Sequence, residues 1–245
     1  MLNQKIKVEF FHDVICSFCY PMSYRMRRIS EEFPQIEIVH RAYALSPDEN
    51  LVKMQFGSRQ DQTKEVIEHW FHANENDDLH RFQIQKMKES GHLIPLSMPM
   101  LKAAAAAQPQ GRYWDMFDAL QKALFTEARD LNEEQTLIDL AEEIGLDVET
   151  WKKDFKSQSI DDKVVADLSR GIEIGINSVP ALVIQDKYLI SGAQPMMHLM
   201  DAFEQIIKEF SEESKSKLVN LSEETTNEDG QSCHIDDSGN MVCDI

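Results

Sequence analysis

The residues best suited to chemistry in this chain are Cys16 and Cys19, separated by Ser17 and Phe18. An apolar, β-prone run from Ile6 to Phe11 leads into them and reads as a buried strand. The stretch from Ser17 to Phe33, with Met22, Met26, Ile29 and Phe33 at helical spacing, reads as the helix that leads out. The first thiol then falls near a helix N-terminus, where unpaired N–H groups and the dipole favour a thiolate, and the second sits about one turn further in. Thiol–disulfide exchange needs this arrangement. An exposed thiolate attacks a disulfide, and a neighbour one helical turn away resolves the mixed disulfide.

The same spacing is half of a zinc site, which would need a second pair of ligands. The candidates are His12, then Cys233, His234 and Cys243 far along the chain. The flanks favour the redox reading, because an apolar strand before the motif and an amphipathic helix after it are the βα context of a thioredoxin-like pair. No metal is expected. Among the neighbours, His12 could stabilise a Cys16 thiolate as a cation or be a surface group in a turn. Asp13 reads as a residue that fixes the turn.

A second stretch runs from Gly175 to Ile184, with Val179-Pro180 at the head of an apolar strand. Proline is tolerated there because the first residue of a strand can forgo its N–H. From these residues alone, the bond before Pro180 could be trans or cis.

The segments FFHDVICSFCYP, beginning at Phe10, and SVPALVI, beginning at Ser178, are followed by Leu189 to Pro195. Together with Gln110 to Leu120 and Leu140 to Asp147, they resemble the DsbA-like thioredoxin-fold oxidoreductases, and more closely their FrnE branch. The resemblance runs from about Val8 to about Phe210. It implies thiol–disulfide exchange with protein or small-thiol substrates, with Cys16 attacking, Cys19 resolving, and a cis-Pro180 facing the pair beside Val179. It also implies an acidic residue near the buried cysteine, a place that Glu9 fills in the sequence. Ser17 and Phe18 stand where relatives often carry Pro-Trp or Pro-His. That dipeptide tunes reduction potential, so the direction of electron flow stays open. No cofactor is implied beyond glutathione as a redox partner.

Two other functions remain open on the same fold. One is a glutathione-dependent isomerase or transferase resembling 2-hydroxychromene-2-carboxylate isomerase, whose relatives usually keep a serine or a single cysteine at the nucleophile position. The other is a non-catalytic adaptor that presents a helical domain to a protein partner.

Composition narrows the partners. Hydrophobic content of 42% and charged content of 28% are ordinary for a globular protein. A net charge of −18 argues against nucleic acid or an anionic membrane surface, which would repel it. No apolar run approaches the length of a membrane helix, and the N-terminus carries no signal-peptide pattern, so the expected location is cytoplasmic. In that compartment cysteines are usually catalytic or redox-sensing rather than structural.

The elements that must position the pair are expected as an α/β, thioredoxin-like domain of residues 1–62 and 157–211. A large all-helical domain, residues 63–156, is inserted between its halves. Ile36 to Ala44 reads as a second strand, Ser46 to Gln62 as a polar stretch, and Asp77 to Ser90 as one of six helices in the insert. Trp114, Phe117, Leu120 and Leu124 share one apolar face. A closing helix should run to about Phe210, followed by a flexible acidic tail, residues 212–245, too polar to order itself. Cys233 and Cys243 lie in that tail on either side of an Asp-Ser-Gly-Asn turn, and resemble the C-terminal cysteine pair of the FrnE branch. They are a possible secondary redox pair, exchanging with Cys16 and Cys19.

Overall fold

The computed structural model describes residues 5–216, 233–235 and 241–243. The chain divides into two compact units, one of residues 3–201 and one of residues 202–245 with the first two residues.

In the first unit, β1 (Ile6–His12) occupies the middle of a four-stranded sheet. Val8, Phe10 and Phe11 are wholly buried, so both faces of the strand are covered, and this is why its sequence is an apolar run rather than an alternation. Strand β2 (Ile36–Ala42) runs parallel to it, Ile6 opposite Ile36 and His12 opposite Ala42. Helix α1 (Cys19–Glu32) supplies the crossover that a parallel pair requires. On the other side, β3 (Ala181–Ile184) is antiparallel to β1 and β4 (Tyr188–Ser191) is antiparallel to β3. This mixed sheet with its first helix is thioredoxin-like.

Between β2 and β3 the chain is helical: α2 (Glu49–Phe56), α3 (Arg59–Asn76), α4 (Ile84–Ser90), α5 (Ser97–Ala106), α6 (Tyr113–Phe125), α7 (Glu134–Glu143), α8 (Val148–Phe155) and α9 (Gln158–Glu173). Ala103 to Ala107 are all buried, and their small side chains let α5 lie against α6, α8 and α9. Trp151 of α8 is fully buried there and donates its indole N–H to the Ala103 carbonyl at 3.0 Å. Helix α9 returns to the sheet and packs on Phe11; a Cβ on Gly171 would meet the phenyl ring at 3.4 Å, an ordinary contact distance. Helix α10 (Met196–Ser216) begins in this unit and continues into the second.

Two helices differ from expectation. Helix α2 forms inside the stretch expected to be irregular, because Asp48 caps it by accepting from the Leu51 N–H at 2.9 Å. The helix expected over 77–90 starts only at Ile84. There the Asp77 carboxylate accepts from both the backbone and the guanidinium of Arg81, and His80 takes a left-handed conformation with φ 48°. Such side-chain bonds compete with helix formation.

In the second unit, β5 (Cys233–Ile235) and β6 (Met241–Cys243) form an antiparallel pair whose register sets Cys233 opposite Cys243. The rest of the tail expected to be flexible beyond Ser216 lies outside the described residues. Among the described residues, no helix is long and apolar enough to cross a membrane.

Candidate active site

The loop from Asp13 to Phe18 carries the cysteines and is held from several directions. Its backbone closes on itself through Cys16 N–H to the Asp13 carbonyl at 3.2 Å and Cys19 N–H to the Cys16 carbonyl at 3.0 Å. Gln121, buried on α6, directs its side-chain amide at the carbonyls of Val14 and Cys16, at 3.3 and 3.4 Å. The Asp13 side chain joins the loop to its surroundings. One oxygen accepts from Ile15 N–H at 3.3 Å, and the other accepts from Leu45 N–H at 2.8 Å and the Ser97 hydroxyl at 2.6 Å.

Both cysteines are free thiols. Cys16 precedes α1 and is 5% exposed, whereas Cys19 opens the helix and is 0% exposed, so Cys16 is the thiol more open to solvent. The Cys16 thiol points across to the head of β3 and donates to the Val179 carbonyl at 3.5 Å. The Val179–Pro180 bond is cis, and Pro180 is buried. Ser17 and Phe18, between the cysteines, are half-buried, and Phe18 packs on the core.

Cys19 sits in a place that holds its proton. Burial pushes its thiol well above the usual range, and the neighbouring Cys16 and the charge of Asp13 push it the same way. Burial likewise raises the Asp13 carboxyl to about 6, against the pull of its hydrogen bonds from Ser97, Leu45, Ile15 and Val14. A thiol that is reluctant to ionise thus feels the charge of a carboxyl able to exchange a proton near neutrality.

Glu9 is buried, but it is engaged elsewhere. Its oxygens accept from Arg41 at 2.7 Å and Arg170 at 3.0 Å, with Lys7 at 3.3 Å. Burial would raise this carboxyl, and the bonds from Arg170 and Arg41 overcome that and hold it below the usual range. Side chains alternate along a strand, so Glu9 projects to the opposite face of β1 from Val8, Phe10 and His12. The carboxylate whose charge acts on Cys19 is that of Asp13.

His12 is neither a surface group nor a cation. It is wholly buried, against Phe117 and Phe10, and its Nε2 lies 3.0 Å from Nδ1 of His40. Burial, then the proximity of His40 and Lys163, depresses its basicity well below the ordinary range, so it stays neutral.

The sequence reading missed Asp13 as a chemical group, and it missed Ser97 and Gln121 altogether. Gln121 left a trace: it follows Phe117 by one helical turn on the apolar face, where a polar side chain is out of place. Cys233 and Cys243 belong to the second unit and are set opposite each other in the backbone register. Among the described residues, no cluster of three or more His, Cys, Asp and Glu is placed to hold a metal.

The chain is similar to several known proteins. It is 38% identical over 95 residues to the ClpXP adapter protein SpxH of Bacillus licheniformis, a match covering 37% of this chain and 32% of that protein. The chain thus spans about a third of that relative's length. The crystal structure of a putative protein disulfide isomerase from Nitrosomonas europaea superposes with a TM-score of 0.67 at 18% identity, covering 84% of this chain and 99% of that one. The cytosolic disulfide reductase DsbM from Pseudomonas aeruginosa superposes at 0.65 and 15% identity, covering 82% and 99%. At these identities the two structures speak for the fold alone. The sequence pattern of the DSBA-like thioredoxin domain matches residues 7–204, and the chain belongs to that family.

Proposed function

We propose that this protein is a thiol–disulfide oxidoreductase acting on protein or small thiols, with Cys16 and Cys19 as its redox centre. The observation that carries the reading is the Cys16 thiol facing the Val179 carbonyl at 3.5 Å beside Pro180, with Cys19 buried behind it. Cys16, as thiolate, attacks one sulfur of a substrate disulfide; a Cys16–substrate disulfide forms and the other substrate sulfur leaves as a thiolate. Cys19 then gives its proton to Asp13, and its sulfur attacks that of Cys16. The Cys16–Cys19 disulfide forms, and the remaining substrate sulfur departs as a thiolate. Two electrons have passed from the dithiol to the substrate, and the reverse sequence oxidises a substrate dithiol. Pro180 and Val179 present backbone to an extended substrate segment, Ser17 and Phe18 tune the potential, and glutathione serves as redox partner in the cytoplasm. Glu9 supports the fold beneath this site. The order of the motifs favours the FrnE branch.

The Cys19→Ser variant tests the first step, because a mixed disulfide on Cys16 can no longer be resolved. Incubated with a disulfide-bonded peptide, it should accumulate a peptide adduct on Cys16, assigned by mass analysis. An adduct-free Cys16 would remove the reading.

The opposed backbone positions of Cys233 and Cys243 support a secondary redox pair that exchanges with the first. If the variant with both changed to serine turns over a dithiol substrate at the parent rate, that part is lost. A second reading, a protein-binding adaptor, draws on the match to the SpxH adapter. It requires that Cys16→Ser complement a deletion strain as well as the parent does.

A further inference from the structure

Asp13 ends a chain of buried hydrogen bonds that begins on α3. The Gln62 side-chain amide donates to the Ser46 hydroxyl at 2.6 Å. The Ser46 backbone N–H donates to the Ser97 hydroxyl oxygen at 2.8 Å, and the Ser97 hydroxyl donates to Asp13 at 2.6 Å. All four residues are buried.

The chain has a direction. A backbone N–H can only donate, so Ser97 receives from Ser46 and turns its single proton to Asp13. Leu45 N–H reaches the same Asp13 oxygen from a second side. Donors aimed at a carboxylate oxygen favour the ionised acid, whereas burial favours the neutral one. Without Ser97, burial would act on Asp13 with half the opposition at that oxygen.

We propose that Ser97, carried by α5, is a positioning residue for the exchange reaction: it holds Asp13 ionised beside Cys19, and Ser46 and Gln62 hold Ser97 in that role. The proposal rests on the exchange reading given above. In the step it serves, the Cys19 S–H bond breaks and the proton passes to the Asp13 carboxylate. The electron pair left on sulfur attacks Cys16 in the mixed disulfide and expels the substrate thiolate. The titratable groups that feel the charge of Asp13 are Cys19 of α1 and Tyr113 of α6. From the loop after β2 and from α5 come uncharged donors, Leu45 N–H and the Ser97 hydroxyl. The helical segment thereby completes a site whose cysteines lie on the sheet side of the fold.

The test is a carbon-detected NMR titration of the Asp13 carboxyl in the reduced full-length protein, with the pH profile of Cys19-dependent exchange measured alongside. The parent, Ser97→Ala, Ser97→Thr and Gln62→Met are compared. Ser97→Ala should move the Asp13 midpoint up by about one pH unit, the worth of one charge-assisted hydrogen bond, and the exchange profile should follow. Ser97→Thr, which keeps the hydroxyl, should return both, and Gln62→Met should give a smaller rise. An unmoved Asp13 midpoint in Ser97→Ala overturns the proposal. Should Ser97→Ala not fold, an unmoved midpoint in Gln62→Met does so. A midpoint that shifts while Cys16 and Cys19 never form a disulfide overturns the exchange reading, with Ser97 still the group that sets Asp13.

Discussion

The Cys16 thiol and the Val179 carbonyl meet at 3.5 Å although 163 positions separate them in the chain. The sheet explains the meeting. Phe11 of β1 pairs with Ala181 of β3 in antiparallel register, so the chain leaving β1 and the chain entering β3 run on together past the end of the sheet. One carries the cysteines and the other carries Val179 and Pro180. A substrate that engages Cys16 must come against both.

Glu9→Gln is expected to weaken the fold by about 2–4 kcal/mol, because a buried ion pair broken on one side leaves its cations short of a partner. Arg41 and Arg170 are those cations. The pH profile of exchange should not change. Urea unfolding together with exchange rates from pH 5 to 8 checks both halves. Intact stability with a lost exchange limb would give Glu9 the role assigned to Asp13.

The buried Asp13 carboxyl sets a pH dependence of stability. Its pKa is raised on folding from 3.8 to about 6, so the folded state holds the proton more tightly. Its favourable contribution is complete below about pH 4 and is lost as pH rises through about 6, a change of about 3 kcal/mol. The stability of the parent relative to Asp13→Asn should therefore fall across that window and level off above it. Urea unfolding of both proteins from pH 4 to 7.5 measures this, and a constant difference would contradict it.

His12 and His40 work in the opposite sense. Burial, then Arg27 and Lys163, lowers His40 to about 3, below the 6.5 of the unfolded chain. Their contribution is present above about pH 6.5 and is lost as pH falls, because the unfolded state takes up the protons. His40→Gln should make the acid-side loss of stability shallower between pH 6.5 and 4. Thermal unfolding in the same buffers checks the slope, and an unchanged slope would count against neutral burial of His40.

Gln121→Leu removes the donor that Val14 and Cys16 share. The Cys16 carbonyl keeps the Cys19 N–H, whereas the buried Val14 carbonyl loses this donor, which should cost about 1–3 kcal/mol. A loosened loop should slow single-turnover exchange about tenfold, since the reacting sulfurs depend on loop geometry. Parent-like exchange in a folded Gln121→Leu would show that the loop holds without it.

The candidate redox pair stood out in the sequence because its signals are local: an apolar run, two cysteines, a helical pattern, and a proline heading a second apolar run. The proposed proton acceptor did not. Asp13 and Ser97 are 84 positions apart and both polar, so neither hydrophobic periodicity nor motif spacing connects them. Glu9 looked like the acid because it precedes the motif in an apolar strand, but strand alternation turns it toward Arg41 and Arg170. Helix α2 escaped notice because Val52 is its only buried residue, leaving almost no apolar stripe to read. Its local signs were confined to its ends, the Asp48 cap and Gly57 after its last turn.

The most direct test of the redox centre is a titration of the full-length protein against glutathione buffers, with thiol trapping and mass analysis to assign each cysteine. The expected result is a reversible Cys16–Cys19 disulfide with a midpoint between about −270 and −120 mV, the range spanned by thioredoxin and DsbA. Cys16→Ser should abolish it. Two thiols that never pair across that range, or a stable glutathione adduct in place of the disulfide, would contradict the assignment.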